Sequence, residues 1–315
     1  MSQLDRFAGL DIAVIIPCYN EAATIADVVA GFRRTLPGSR IFVYDNNSRD
    51  ETAGEAARAG AVVVREPRQG KGNVVRRMFA DIDADIYVMA DGDGTYDPAD
   101  AETLVAALIA ERVDMAVGTR MGVEEDAGRA GHALGNKGFN LLYRRLFGAD
   151  FSDIFSGYRA FTRRFVKSFP ALSTGFEIET EMSVHASQLM IPTVEIPLRY
   201  GRRVEGSASK LRTFRDGFRI LGMFLQLLKE TRPTLFFGAL AATFALVALS
   251  ISLPVLVTFF ETGLVPRLPT ALLSTGLMIV AMLLAAVGMI LDSLSRSRVE
   301  QKRILYLGVP GLPVQ

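Results

Sequence analysis

The stretch Ile86-Tyr87-Val88-Met89-Ala90-Asp91-Gly92-Asp93-Gly94-Thr95-Tyr96-Asp97-Pro98 reads as a short strand with an acidic end. Its apolar run, bounded by glycines and a proline, has the length and character of a buried strand. Two carboxylates one residue apart stand just past it, on the edge where ligands gather in open α/β sheets. Like charges at that spacing repel unless something positive lies between them. A hard divalent cation holding a diphosphate meets that need, because such ions take oxygen ligands and bridge carboxylates to phosphates. The plainer alternative is a solvated acidic turn that caps the next helix.

The same pattern recurs on both sides. Ile12–Ile16 ends at Pro17-Cys18-Tyr19-Asn20-Glu21, Ile41–Tyr44 at Asp45-Asn46-Asn47-Ser48, and Ala61–Val64 at a loop reaching Gly72. Asp114–Gly118 gives a fifth strand. Helices fill the intervals, with Ser48 or Asp50 placed to cap one of them. Strands alternating with helices at this pitch predict a mostly parallel sheet covered on both faces. Tyr19-Asn20-Glu21, Asp45-Asn46-Asn47 and Asp91-Gly92-Asp93 then share one edge, suited to a nucleobase, a ribose and a metal-bound diphosphate. No Gly-x-Gly-x-x-Gly follows the first strand and no Lys-Ser/Thr phosphate cradle is present, so dinucleotide and P-loop readings have little support. Gly70-Lys71-Gly72 is too short to stand alone as a phosphate loop and reads equally as a flexible turn.

The 315 residues carry a net charge of +1, so no nucleic-acid partner is expected. A single cysteine, Cys18, excludes an internal disulfide and reads as a small packed residue. Residues 1–232 resemble a soluble α/β protein, whereas 233–292 are nearly free of charge. Leu235–Phe260 and about Leu268–Leu291 are each long and apolar enough to cross a bilayer. Pro254 in the first is tolerated in a membrane helix. Lys229 and Arg232 precede the pair; Arg296, Arg298, Lys302 and Arg303 follow it. The positive-inside rule predicts both termini in the cytoplasm with a helical hairpin between them. Met1–Asp11 lacks a signal-peptide core, which places the large domain on the cytoplasmic side of the inner membrane. Phe214, Phe218, Leu221, Phe224, Leu225 and Leu228 recur at helical spacing beside Arg212, Arg215, Arg219 and Lys229. That segment reads as an amphipathic helix in the headgroup layer, or one packed on the soluble core.

Several motifs taken together carry a resemblance. They are Ile16-Pro17-Cys18-Tyr19-Asn20-Glu21, Asp45-Asn46-Asn47-Ser48-Arg49-Asp50-Glu51-Thr52, Gly70-Lys71-Gly72-Asn73, Asp91-Gly92-Asp93, Gly118-Thr119-Arg120, Ser156-Gly157-Tyr158-Arg159, Gly175-Phe176-Glu177-Ile178-Glu179 and Ser209-Lys210-Leu211. Over roughly residues 11–230 the chain resembles the inverting family 2 glycosyltransferases of GT-A fold. Within them it is similar to the polyprenyl-phosphate glycosyltransferases, the group that includes dolichol-phosphate mannose synthase. The resemblance implies a GT-A nucleotide-sugar-binding domain over 1–212, an interfacial helix over 213–232, two membrane helices over 233–292 and a cytoplasmic tail over 293–315. It implies inverting transfer of a hexosyl or uronosyl group from a UDP- or GDP-linked sugar to polyprenyl phosphate, with Mg2+ or Mn2+ as cofactor.

Roles follow from the matched positions. Pro17, Tyr19, Asn20, Glu21, Asp45, Asn47 and Lys71, with Asp91, Gly92 and Asp93, would bind the nucleotide sugar. Asp91 and Asp93 would hold the metal, and with Arg120 form the catalytic set. Arg120, His132, Asn136, Lys137, Arg159, Arg203, Ser209 and Lys210 would meet the acceptor phosphate. The chain departs from the family pattern at Asn46, where a second aspartate is common, and at Thr95, where glutamine is common. His132 stands where many members have arginine, with Arg129 and Lys137 nearby. The segment from Arg203 to Lys210 is one residue longer than the commonest version.

A phosphate acceptor is already ionised, with a second pKa of about 6, and unlike a hydroxyl needs no general base. It needs positive charge to aim it, which arginines between Arg120 and Arg164 supply. A basic face toward anionic headgroups is their other use. Glu177 and Glu181 share a helix face; the cluster with Glu179 touches a sugar hydroxyl, orders a basic loop or complements a helix dipole. Two spans are too few to carry product across a membrane, so a separate flippase and a downstream glycosyltransferase are expected, and a homo-oligomer. The rival readings are a hydroxyl-directed polysaccharide or glycolipid synthase, a non-catalytic membrane scaffold and a nucleotidyltransferase. The chain has no tryptophan and hence no Gln-x-x-Arg-Trp motif, which weighs against the first. The intact Asp91/Asp93 pair weighs against the second, and the lack of a glycine-rich basic loop after the first strand against the third.

Overall fold

The computed structural model describes residues 7, 9–121, 151–175, 177–201, 222, 225–226 and 228–312. In chain order the first half contains β1 (Ile12–Cys18), α1 (Ile25–Thr35), β2 (Arg40–Asp45), α2 (Thr52–Arg58), β3 (Val62–Arg65), α3 (Lys71–Asp81), β4 (Ile86–Met89), α4 (Ala101–Ala110) and β5 (Met115–Met121). Then come β6 (Arg159–Thr162), α5 (Arg163–Ser168), α6 (Ile178–Leu189), β7 (Thr193–Arg199), α7 (Pro233–Thr262) and α8 (Leu268–Gly308). The strands form one sheet in the order β3-β2-β1-β4-β6-β5-β7. β1 pairs in parallel with β2 and β4, β2 with β3, and β5 with β7. β6 alone runs antiparallel, between β4 and β5. This is the mostly parallel α/β sheet of the GT-A fold.

Every residue of β1 and β4 is buried, which is why both read as unbroken apolar runs rather than alternating ones. α1 buries Ile25, Val28, Val29 and Phe32 at helical spacing; full burial of each such side chain is worth about 1.5–3 kcal/mol. β1, β2, β3, β4 and β5 all end on one edge. Because β6 is reversed, it starts there, with Arg159 opposite both Met89 and Val117. The residues before it, Ser156-Gly157-Tyr158, are thereby brought to the same edge as Asp91-Gly92-Asp93.

The chain divides into two compact units, Met1–Asp216 with Lys302–Gln315, and Gly217–Gln301. In the second, α7 and α8 pack closely enough that a Cβ on Gly288 would lie 3.1 Å from Cβ of Phe237. α8 continues as one helix of 41 residues past Leu291, the expected end of the second span, to Gly308. Nothing between Asp292 and Leu307 breaks a helix; Gly308 and Pro310 do. The end of the chain from Lys302 packs into the first unit. There Tyr306 donates its hydroxyl to Asp114 and Arg303 donates to the carbonyl of Leu189. Arg164 lies 4.5 Å above the Tyr306 ring. The expected interfacial helix lies largely outside the described residues.

Candidate active site

Asp91-Gly92-Asp93 turns off the end of β4. A Cβ on Gly92 would lie 2.5 Å from Cys18 Sγ and from Glu21 Oε2, so only glycine lets this turn close on β1. Thr24 fastens it, donating its hydroxyl to the Gly92 carbonyl at 2.6 Å. Asp93 is buried, and its Oδ1 accepts from Thr95 twice, from N at 3.1 Å and from Oγ1 at 2.6 Å. Thr95 therefore fixes the neighbouring carboxylate. Asp91 is more open. A Cβ on Gly157 would stand 2.9 Å from Asp91 Oδ2 and 3.1 Å from Lys71 Nζ, and the Gly157 N–H donates to Tyr96 Oη at 3.0 Å. The missing side chain leaves a small cradle against Asp91. One fixed and one open carboxylate beside such a cradle fit a hard divalent ion that completes its shell with water and phosphate oxygens. Among the described residues no larger cluster of His, Cys, Asp and Glu is gathered.

Lys71 lies within this acidic end. Its Nζ is 2.5 Å from Asp91 Oδ1 and 2.5 Å from Glu179 Oε1. Burial alone would lower the lysine pKa; the two carboxylates outweigh it and hold the ammonium above the ordinary lysine range. Burial pushes the Glu179 carboxyl up, Lys71 pulls it down and Asp91 pushes it up again.

Glycine makes this meeting possible. A Cβ on Gly70 would fall 2.1 Å from the Thr174 carbonyl oxygen, and one on Gly72 would fall 2.2 Å from that of Ser173. The Gly72 N–H donates to Thr174 O at 3.1 Å. Arg76 Nε donates to Ala171 O at 2.7 Å, and Glu181 accepts from the N–H groups of Leu172 and Ser173 at 2.9 and 2.7 Å. Gly70-Lys71-Gly72 is thus no free turn. It is the start of α3 pressed onto segment 171–174. The acidic cluster divides its work: Glu181 orders that segment, Glu177 accepts from Gly175 N at 3.1 Å, and Glu179 reaches Lys71.

On the expected nucleotide side, Tyr19 and Asn20 stand at the edge past β1. Asn20 has a φ of 53° and accepts from Arg49 N at 2.8 Å. Asp45 is buried and receives Ser48 N at 3.3 Å. Asn47 donates to Pro67 O at 2.7 Å. Pro17, expected to line the nucleotide, is a buried residue of β1, opposite Tyr44. Asn46 carries a role that only the structure reveals. Its Nδ2 donates to the carbonyls of Glu66 at 3.0 Å and Arg68 at 2.7 Å, and its Oδ1 accepts from Gly70 N at 2.7 Å. An aspartate could make the last bond but not the first two.

On the expected acceptor side, Arg120 at the end of β5 is gripped by Asp153. Arg159, also expected at the acceptor phosphate, lies beneath this edge at the start of β6. It is fully buried and donates to Ser156 O at 2.9 Å, Ile154 O at 3.1 Å and Ser183 Oγ at 3.1 Å. It supports the 154–156 turn from beneath. His132, Asn136, Lys137, Arg203, Ser209 and Lys210 lie outside the described residues.

The model of glycosyl transferase family 2 matches residues 13–169. Glycosyltransferase AglJ of Haloferax volcanii is 36% identical over 250 residues, 79% of this chain and 81% of its own. The chain is a family 2 glycosyltransferase. Protein RfbJ of Shigella flexneri is 50% identical to this glycosyltransferase over 127 residues, 40% of it and 98% of RfbJ. Among solved structures, glucosyl-3-phosphoglycerate synthase of Mycobacterium tuberculosis, in complex with Mn2+, uridine diphosphate and phosphoglyceric acid, has the same fold. It aligns with a TM-score of 0.61 at 22% identity, over 72% of this glycosyltransferase and 80% of that chain. The matched family region contains Lys71, Asp91, Asp93, Arg120 and Gly157; Glu179 lies beyond it.

Proposed function

We propose that this glycosyltransferase moves a sugar from a nucleoside-diphosphate donor to a polyprenyl phosphate at a membrane surface. The observation that carries the reading is the company the site keeps. One chain holds a GT-A domain with an acidic edge and two helices of membrane-spanning length, with mean hydropathies of 2.3 and 2.4 and most side chains outward. An acceptor that cannot leave the bilayer explains why a sugar-transfer domain is tethered there.

A divalent ion on Asp91 and Asp93, Mg2+ or Mn2+, would offset the charge that gathers on the departing diphosphate. The protein's own residues do the rest. Thr95 keeps Asp93 turned inward, and Tyr19, Asn20 and Asp45 offer polar groups to the base and ribose. Arg120 aims charge at the transferring group from the end of β5. The acceptor phosphate attacks the anomeric carbon directly, the glycosidic bond to the diphosphate breaks, and no side chain has to take a proton. The large domain and both termini face the cytoplasm.

The test is a reconstitution. Purified protein, Mn2+ and a panel of UDP- and GDP-sugars are offered polyprenyl phosphate or the unphosphorylated polyprenol, and the lipids are weighed by mass spectrometry. A product of polyprenyl phosphate plus one sugar is expected. Transfer to polyprenol but not to its phosphate would replace this reading with a hydroxyl-directed one.

A further inference from the structure

Lys71 occupies a place where metal-ion chemistry leads one to expect the charge of an ion. Its ammonium touches Asp91 and Glu179 at equal distances of 2.5 Å. We propose that Lys71 is a resident counter-cation for Asp91, kept in place by Glu179, and that a divalent ion obtains Asp91 only by taking it from Lys71. The proposal rests on the metal reading of the Asp91/Asp93 pair and extends it to two further residues.

Three observations point this way. First, the Lys71 and Glu179 side chains are 9% and 5% exposed. An ammonium so buried must keep a carboxylate at all times, because leaving it unpaired is strongly unfavourable. Glu179 is that standing partner, which frees Asp91 to change hands. Second, Glu179 Oε2 is buried and receives no hydrogen bond from the described residues. An ammonium has three N–H donors, so Glu179 has an acceptor in reserve for the bond Lys71 gives up. Third, the cradle beside Gly157 adjoins Asp91 Oδ2 and Lys71 Nζ together, so an ion entering it meets the free oxygen of Asp91 and the competing cation at once.

The start of α3 is clamped by Gly70 and Gly72 against segment 171–174, so the exchange is a side-chain movement on a fixed backbone. Its consequence is coupling. A metal ion arriving alone must displace Lys71 with only Glu179 to take up the bond it gives up. An ion arriving with a diphosphate brings negative charge that receives the ammonium. Lys71 thereby makes metal binding depend on nucleotide, and by reciprocity nucleotide binding on metal. Glu179 is a positioning residue, acting on the acidic pair through Lys71.

The experiment measures Mn2+ binding to the full-length purified protein by electron paramagnetic resonance and calorimetry, without nucleotide and with UDP or GDP. Lys71→Met is expected to bind Mn2+ alone at least about tenfold more tightly, since a unit charge a few ångströms away is removed, and to lose most of the nucleotide dependence. Lys71→Arg keeps the charge and is expected to stay within about threefold of the unaltered protein. Because Lys71→Met leaves Glu179 buried without its partner, Lys71→Met/Glu179→Gln is measured beside it. If Glu179 acts through Lys71, the double variant shows the same gain as the single one within about twofold. Mn2+ binding by the unaltered protein with no gain in either variant overturns the proposal and leaves the metal site standing. Absence of Mn2+ binding with both nucleotides would remove the metal site and the proposal together.

Discussion

Arg120 and Asp153 form a two-pronged ion pair, Nε to Oδ2 at 2.7 Å and Nη2 to Oδ1 at 2.8 Å. Asp153 is itself pinned, since Glu195 Oε1 accepts its backbone N–H at 3.3 Å and that of Ser152 at 2.8 Å. The guanidinium carbon is 5.6 Å from the centre of the Tyr200 ring. Arg120 therefore reaches the edge of the sheet with its orientation already set.

Arg120→Ala should lower stability by about 3–5 kcal/mol, because it strands a buried carboxylate. Arg120→Ala/Asp153→Ala should recover most of that loss without recovering turnover at saturating donor. Recovery of both would make the arginine structural only. Burial would raise the Asp153 pKa, but Arg120 more than reverses this and holds it below the ordinary carboxylate value. The pair's contribution is thus complete above about pH 4 and fades as pH falls through the lowered value in the folded state. Chemical denaturation at a series of pH values measures both effects.

Asn46→Asp should destabilise the loop that carries Lys71. The new carboxylate would face two carbonyl oxygens where an amide now donates. A loss of about 1–3 kcal/mol is expected, with faster amide exchange over residues 66–72. An unchanged exchange pattern would mean that the loop is held from elsewhere.

Gly157→Ala should fill the cradle. Its methyl would lie 2.9 Å from Asp91 Oδ2 and 3.1 Å from Lys71 Nζ, both on side chains that can give slightly. The melting temperature should move by only a few degrees, while affinity for Mn2+ with a nucleoside diphosphate should fall about tenfold or more, read by calorimetry. Equal affinities would show that nothing binds on that side of Asp91.

His185 should make the protein acid-sensitive. It is buried against Phe165 and Phe169, with Nε2 3.3 Å from Ser168 Oγ. Burial first, and Lys302 second, pull its pKa from 6.5 to about 3. Between those values the unfolded chain takes up a proton that the folded one refuses, so stability is full above pH 6.5 and declines as pH drops. The limiting slope is about 1.4 kcal/mol per pH unit. His185→Phe should flatten the melting curve against pH between 6.5 and 4.5; a variant with the same slope would remove His185 as the cause.

If both termini face the cytoplasm as proposed, a cysteine at Gly263, in the turn between α7 and α8, should react with membrane-impermeant reagent only from the opposite side of the membrane. Cys18 is buried and should not compete. Labelling from the cytoplasmic face alone would reverse the assigned orientation.

Much of this was legible in sequence, and what was not has identifiable causes. β1 and β4 are buried on both faces, so composition alone marked them and the acidic pair after them. β6 escaped because it is four residues long and opens with Arg159, a buried cation that imitates a surface one. Gly70 and Gly72 looked like flexibility because the backbone they make room for, at Ser173 and Thr174, is remote in the chain. Helical spacing grouped Glu177 with Glu181 but gave no way to see that Glu179 would meet Lys71. The departures at Asn46 and Thr95 were visible as departures; their hydrogen bonds were not.

Asp114 gathers its partners from distant parts of the chain. Thr162 and Arg164 each donate to it at 2.6 Å, and Tyr306 completes the set. A ribosome delivers the first two long before the third, and both apolar helices come in between. The enzyme's first unit is therefore written as two instalments on either side of the apolar helices. A nascent chain that has not yet produced both apolar helices still owes Asp114 a donor, so this corner of the sheet closes only after the two helices have been made.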